Sequence, residues 1–350
     1  MNAGLVMDKP GIMETFLPLG KLPVNLLKQV IDAAPVTDER VLMGPGIGLD
    51  CAVIDMGDHY QVIKTDPITF ASDEIGWYAI QINANDIATT GAIPRWFTAT
   101  VLLPENKTTP ELVLKIANQL FDACREYGIS FIGGHTEITY NIDRPIISGT
   151  MFGEVKKDKL ITPRGASGGD AVLISKGLAI ETTALLAREF PERLRPVLGD
   201  DELREAAHYL HQPGICVLPD ARAAVAAGRV TAMHDPTEGG LAAALWELAE
   251  ASGHTLEVDT SRIPISEISS KICSVFQLNP LNTISSGALL MTARAEDAQQ
   301  ICEAVRAIGS ECTVIGHVLP GKCQVWDTAG GRRALLPRPT RDDITKAYEQ

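Results

Sequence analysis

Apolar and polar positions along the chain change period many times. Leu26, Leu27, Val30 and Ile31 repeat at helical spacing behind Pro23, which predicts one short helix after an exposed arm. Residues 44–48 (Gly-Pro-Gly-Ile-Gly) predict a flexible loop, followed by short β runs at 52–55 and 60–65. Residues 75–90 predict a helix stopped by Gly91 and Pro94, and 96–103 a strand rich in β-formers. Thr109 and Pro110 are a helix start: the threonine caps, and the proline sits where its missing N–H costs nothing. Leu112, Ile116, Leu120 and Cys124 then hold one face until Gly128. A strand at 129–132 runs into Gly133-Gly134-His135-Thr136, and another covers 146–155.

A glycine-rich break at 164–169 marks the domain boundary. Beyond it strands are expected at 171–175, 230–233, 256–258, 288–292 and 313–318. Helices are expected up to about 227 and at 238–252 and 296–308. The alternation predicts two α/β domains, 1–163 and 164–338, with a polar, mobile tail over 339–350.

Composition narrows the class. The chain has 350 residues, enough for two domains, and a net charge of -13. No dense Lys/Arg cluster suggests nucleic acid, and no apolar run is long enough for a membrane helix. The seven cysteines include no Cys-x-x-Cys, which argues against a zinc site or a disulfide framework. The start of the chain carries no basic segment followed by an apolar run and a cleavage site, so a cytoplasmic location is expected. The acidic balance has one chemical consequence: an anionic ligand needs a metal cation or local Lys/Arg to offset the field.

Asp50 follows the glycine loop, Asp66 ends a strand, and Asp86 sits in an apolar helix beside Asn85. Such carboxylates suit Mg²⁺, which takes oxygen ligands and shares them with phosphates. Two like charges about 4 Å apart repel by about 4 kcal/mol at an effective dielectric of 20, so convergence would require a cation or a proton. Each acid alone also fits an unrelated cap or surface position. Gly44, Gly46 and Gly48 let backbone approach phosphate, or form a plain turn; Lys64 supplies charge, or is a solvated strand residue. His135 in the Gly-Gly-His-Thr run fits metal binding, proton transfer or a structural role. Asp235-Pro236-Thr237-Glu238 reads as a capping box, which leaves Gly239 and Gly240 in the first turn unexplained unless backbone or ligand packs close.

Taken in order, these segments resemble one superfamily. They are Gly20-Lys21-Leu22-Pro23, the 44–48 loop with Asp50 and 52–54, Thr65-Asp66-Pro67, Asn85-Asp86-Ile87-Ala88 with 91–94, Gly133-Gly134-His135-Thr136, and 235–241. The superfamily holds aminoimidazole ribonucleotide (AIR) synthase (PurM), thiamine-monophosphate kinase, selenophosphate synthetase and HypE, the carbamoyl dehydratase of hydrogenase maturation. The nearest branch looks like HypE and the AIR-synthase-related proteins. The resemblance implies an N-terminal domain whose strands form a β-barrel shared across a homodimer, and a C-terminal α/β sandwich. It implies ATP and Mg²⁺ in the cleft, with Asp50, Asp66 and Asp86 as metal ligands. Lys64, Asn85, Gly133, Gly134, Thr136 and the 44–48 glycines would be phosphate neighbours, and His135 and Asp235 catalytic. The implied activity is phosphorylation of an amide, carbonyl or phosphate oxygen. The implied substrate is a small molecule or a carboxamide, with a possible maturation-protein partner. The alternatives are a kinase of the thiamine-monophosphate type and a non-catalytic ATP-binding maturation protein.

Three positions depart from the family pattern. Leu49 replaces the first acid of an Asp-Asp pair, and His135 replaces an acid, as in selenophosphate synthetase. The sequence ends Lys346-Ala347-Tyr348-Glu349-Gln350 in place of the Pro-Arg-Ile-Cys whose thiol carries the carbamoyl group in HypE.

Overall fold

The computed structural model describes residues 16–17, 20–69 and 73–349. The strands are β1 (Val41–Met43), β2 (Ala52–Asp55), β3 (His59–Ile68), β4 (Ile93–Pro104), β5 (Ser130–Thr139), β6 (Ile146–Lys156) and β7 (Ala171–Ser175). They continue with β8 (Val230–His234), β9 (Thr255–Val258), β10 (Leu289–Ala293), β11 (Cys312–Leu319), β12 (Gln324–Asp327) and β13 (Ala334–Leu335). The helices are α1 (Val24–Asp32), α2 (Ile75–Thr89), α3 (Pro110–Tyr127), α4 (Ile180–Glu189) and α5 (Pro191–His208). They continue with α6 (Leu218–Ala227), α7 (Gly240–Ser252), α8 (Glu267–Val275), α9 (Ala298–Ala307) and α10 (Thr345–Tyr348).

The first six strands form one sheet in the order β1-β2-β3-β6-β4-β5. Every pair is antiparallel except β4–β5, which α3 joins as a crossover. Burial alternates along β6: Ile147, Gly149, Met151, Gly153 and Val155 are buried, and their neighbours are not. One face therefore packs on helices while the other stays open. Helix α2 is apolar on nearly every side, so it is enclosed, and all its residues but Trp77 are buried. Helix α3 is amphipathic and starts as expected, with Thr109 accepting from the Leu112 N–H.

The second sheet has seven strands, ordered β13-β12-β9-β11-β7-β10-β8. All of β7 and β10 is buried. Val172, Ile174 and Leu290 pack with Leu241, Leu245 and Leu248 of α7 on one face. Leu173 and Met291 pack with Ile301 and Val305 of α9 on the other. A strand covered on both faces reads as a continuous apolar run, which is how these segments appear in the sequence. The result is the expected mixed α/β fold.

The strand expected at 129–132 runs further, with Gly133, Gly134, His135 and Thr136 inside β5. One expectation needs correction. The final segment is not free: Asp342, Ile344, Thr345 and Ala347 are buried. Asp342 accepts the Gly239 N–H (2.6 Å) and the Ile344 N–H (2.7 Å), which ties the segment to the start of α7. Among the described residues no helix is long and apolar enough to cross a membrane.

Candidate functional site

Four carboxylates from distant parts of the chain meet between the sheets. Asp66 comes from β3, Asp86 from α2, Asp50 from the turn before β2, and Asp235 follows β8. Lys64 lies two residues before Asp66, on the same face of β3. Its Nζ sits 3.2 Å from Asp86 and 3.3 Å from Asp66. Asp50, His234 and Asp235 offer ligand atoms within 4.8 Å of one another.

The electrostatics are unbalanced. Among the described residues, Asp86 Oδ2, Asp50 Oδ2 and both oxygens of Asp235 are buried without a hydrogen-bond partner. A bare buried carboxylate is costly, and the protein's response is to hold its proton. Burial pushes Asp86 well above the ordinary carboxylate range; Lys64 opposes this, while Asp235, Asp66 and Asp50 add to it. Burial, and then Asp50, push Asp235 up to about 7 against His234 and Lys64. Burial works against the Lys64 ammonium, yet Asp86, Asp50 and Asp66 outweigh it and raise its pKa well above normal. One lysine thus serves several acids, and the cluster lacks positive charge.

His234 is the second cation. Its Nε2 lies 2.8 Å from Glu247 of α7, and its Nδ1 lies 3.2 Å from Asp50 Oδ2, a charge contact without hydrogen-bond alignment. Burial opposes the imidazolium, but Asp50 and then Glu247 raise its pKa to about 9. Burial also opposes the Glu247 charge, but the His234 bond and charge pull its pKa down to about 2. The Glu247 contact fixes the Nε2 side of the ring, and Nδ1 faces Asp50, so His234 braces that carboxylate. The other groups that could hold a metal here are all carboxylate oxygens, the donor set that suits a hard cation such as Mg²⁺.

Several sequence expectations change here. Asn85 is buried with both ends of its amide engaged within the fold: its Nδ2 donates to the Ile215 carbonyl (2.8 Å) and its Oδ1 accepts the Val217 N–H (2.9 Å). It pins α2 to the segment before α6. Asp235 does not cap α7, which begins only at Gly240 behind Gly239 (φ +83) with no side-chain cap; the Gly239 N–H goes to Asp342. The close approach expected at Gly240 is backbone, with Leu281 and Thr283 carbonyls 2.6 Å from where a Cβ would sit. The 44–48 loop lies beside the cluster. Gly48 has φ +69 and packs against the Glu247 carbonyl, where a side chain would collide at 2.6 Å.

The Gly-Gly-His-Thr segment is elsewhere within the chain. Register sets Asp66 opposite Gly149, Gly149 opposite Ala99, and Ala99 opposite Gly134, so three strand spacings of about 4.8 Å each separate it from Asp66. His135 is exposed and pairs with Glu137 at 3.0 Å. Gly133 and Gly134 have φ near +150, and a side chain at Gly134 would strike the Ala99 carbonyl, so backbone packing accounts for the Gly134 position. Thr136 borders a separate apolar groove between α3 and β4–β5.

Sequence reasoning gave no role to His234, Glu247 or Glu181. A histidine ending the apolar run 230–234 directly before an acid was the available signal for the first.

The comparisons agree with this architecture. Residues 48–155 match the AIR synthase related protein N-terminal domain, and 168–326 match the C-terminal domain. A hydrogenase expression/formation protein of Methanocaldococcus jannaschii, whose own assignment is provisional, is 30% identical over 93% of this chain and 96% of its own. The carbamoyl dehydratase HypE of Rhizobium leguminosarum is 30% identical over 78% of this chain and 77% of its own. A crystal structure of the hydrogenase maturation protein HypE in complex with ATP superposes with a TM-score of 0.65 at 23% identity, covering 89% of each chain.

Proposed function

This chain belongs to the AIR synthase related family, and from that membership we propose that it is a magnesium-dependent, ATP-using enzyme that phosphorylates an oxygen of a small substrate. The observation that carries this reading is the set of buried, partnerless carboxylate oxygens on Asp50, Asp86 and Asp235 around Lys64. A divalent ion offsets their repulsion, and the relatives are named as HypE or hydrogenase formation proteins, one solved with ATP.

In this reading Asp50, Asp66, Asp86 and Asp235 hold the cation. Lys64 and the backbone of Gly44, Gly46 and Gly48 face the phosphates. His234, itself held by Glu247, fixes the Asp50 carboxylate. Bound Mg²⁺ supplies charge neutralisation on the phosphates, and phosphorylation turns an amide or carbonyl oxygen into a leaving group. Residues 1–163 and 164–338 act as the two domains across whose junction the site forms. Pairing as a homodimer and docking on a maturation protein belong to the same reading; light scattering and affinity capture check them.

The direct test is ATP titration by calorimetry. Binding that requires Mg²⁺ supports the proposal; absent or magnesium-indifferent binding removes it. Asp66→Ala should lose Mg-ATP binding with little change in unfolding.

A kinase acting on a free small molecule is favoured by one specific feature, a cavity of about 290 Å³ that borders Asp66. Substrate-dependent ADP release with a phosphorylated product by mass spectrometry would select it over dehydration.

A further inference from the structure

The cavity beside Asp66 opens between the two sheets' helices, and its walls carry chemistry that the nucleotide reading does not use. Ile82 of α2, Leu185 of α4, Ile284 and Ile344 give it an apolar lining. Three acids also reach it: Glu181 in the first turn of α4, Glu238, and Asp342. One ammonium, Lys21, stands at the rim.

These groups are not equivalent. Both Asp342 oxygens are engaged by backbone N–H groups, so it contributes charge but no free acceptor. The Lys21 Nζ sits 3.5 Å from the Glu238 carbonyl oxygen. Burial opposes its charge, and the acids that raise its pKa are Glu247, Glu238 and Asp50, not Glu181. Glu181 is left over. It is 7% exposed, and its Oε2 is buried with no hydrogen-bond partner among the described residues. Burial raises its pKa to about 7, Ser286 opposes this, and Asp342 and Glu238 add to it. Tyr78, which also lines the cavity, is pushed well up by burial and by the Glu181 charge.

We propose that this cavity is the acceptor pocket, and that it takes a small molecule with an apolar body and a cationic nitrogen held by Glu181. The argument is charge and hydrogen bonding together. Among the described residues the cavity has a surplus of carboxyl groups, one with a free oxygen, and no basic side chain paired with that oxygen. An ammonium or amidinium N–H satisfies the oxygen and offsets the surplus, whereas an anionic head would meet three acids. The apolar walls accept the rest of the molecule. Asp66 borders both the cavity and the carboxylate cluster, so an oxygen at that end faces the transferring phosphate. This proposal rests on the nucleotide reading for its acceptor role.

The test uses calorimetry on the full chain with benzamidinium, its neutral isostere benzamide, and benzoate, each with and without Mg²⁺ and a non-hydrolysable ATP analogue. Benzamidinium should bind at least about tenfold more tightly than benzamide, and benzoate should not bind. With the Glu181 pKa at about 7, binding the cation at pH 7 should release roughly half a proton, seen as a buffer-dependent heat. Glu181→Gln should abolish the proton release and bring the two isosteres within about twofold. Leu185→Trp, which fills the cavity without touching charge, should remove binding of both; thermal unfolding of each variant checks folding. Equal affinity for benzamidinium and benzamide, unchanged preference in Glu181→Gln, or no binding of any probe overturns the proposal. Nucleotide binding without cation preference overturns this proposal alone. Cation preference without nucleotide binding overturns the acceptor role together with the nucleotide reading.

Discussion

Two buried acid clusters in this chain show how different a carboxylate's surroundings can be. Asp170, at the entrance to β7, is 0% exposed. One of its oxygens accepts from the Ser167 N–H (2.9 Å) and the Thr231 hydroxyl (2.7 Å), and the other from Arg294 (3.1 Å). Asp235 is 1% exposed, yet neither of its oxygens has a hydrogen-bond partner among the described residues. Equal burial therefore has opposite meanings. The first carboxylate closes a network that holds β7, β8 and the residue after β10 together. The second has no such network among the described residues, and burial and Asp50 push its pKa up to about 7. Absence of partners, not burial, marks the site.

Mutations can break or sharpen that contrast. The largest effect should come from Asp170→Ala, which strands Arg294 and two donors. We expect a loss of about 3–5 kcal/mol in denaturant unfolding, with Mg-ATP affinity unchanged in the folded fraction. A neutral result would erase the distinction. Glu181→Gln comes next. Its folded pKa of about 7 lies above the ordinary glutamate value of 4.5, so wild-type stability should fall as pH rises from 4.5 to 7, by about 3 kcal/mol in all. The variant's melting curve should lack that component. Asp86→Asn should weaken Mg-ATP binding by about a hundredfold, near 2.7 kcal/mol, while leaving the melting temperature equal or higher. A stability loss matching that of Asp170→Ala would place Asp86 in the structural class. His135→Ala should do least: exposed and paired only with Glu137, it should shift stability by less than about 0.5 kcal/mol and affinity by less than twofold.

Most elements could be read from local pattern, because periodicity and caps act over a few residues. The Thr109–Pro110 start of α3 and the apolar runs of β7 and β10 are examples. Three readings that relied on neighbours failed. Asp235 and Glu238 have the spacing of a capping box, but α7 begins only at Gly240, and Asp342, more than a hundred residues later, holds the Gly239 N–H in front of it. Asn85 looked available for phosphate until Ile215 and Val217 claimed both ends of its amide. The segment after residue 338 looked free because its composition is polar, yet Ile344 and Ala347 are enough to seat it.

The sequence alone determined most of the helices and strands, though not β1, β12, β13, α8 or α10, together with the mixed α/β class and which acids deserved scrutiny, since each depends on residue type and short spacing. Tertiary structure alone decided which acids meet, that His234 and Glu247 brace Asp50, that His135 stands three strands away from Asp66, and that Glu181 lines a cavity with its Oε2 unpartnered among the described residues. The reason is physical: a carboxylate's charge state depends on the sum of burial and every nearby charge, and those neighbours are set by folding, not by position along the chain.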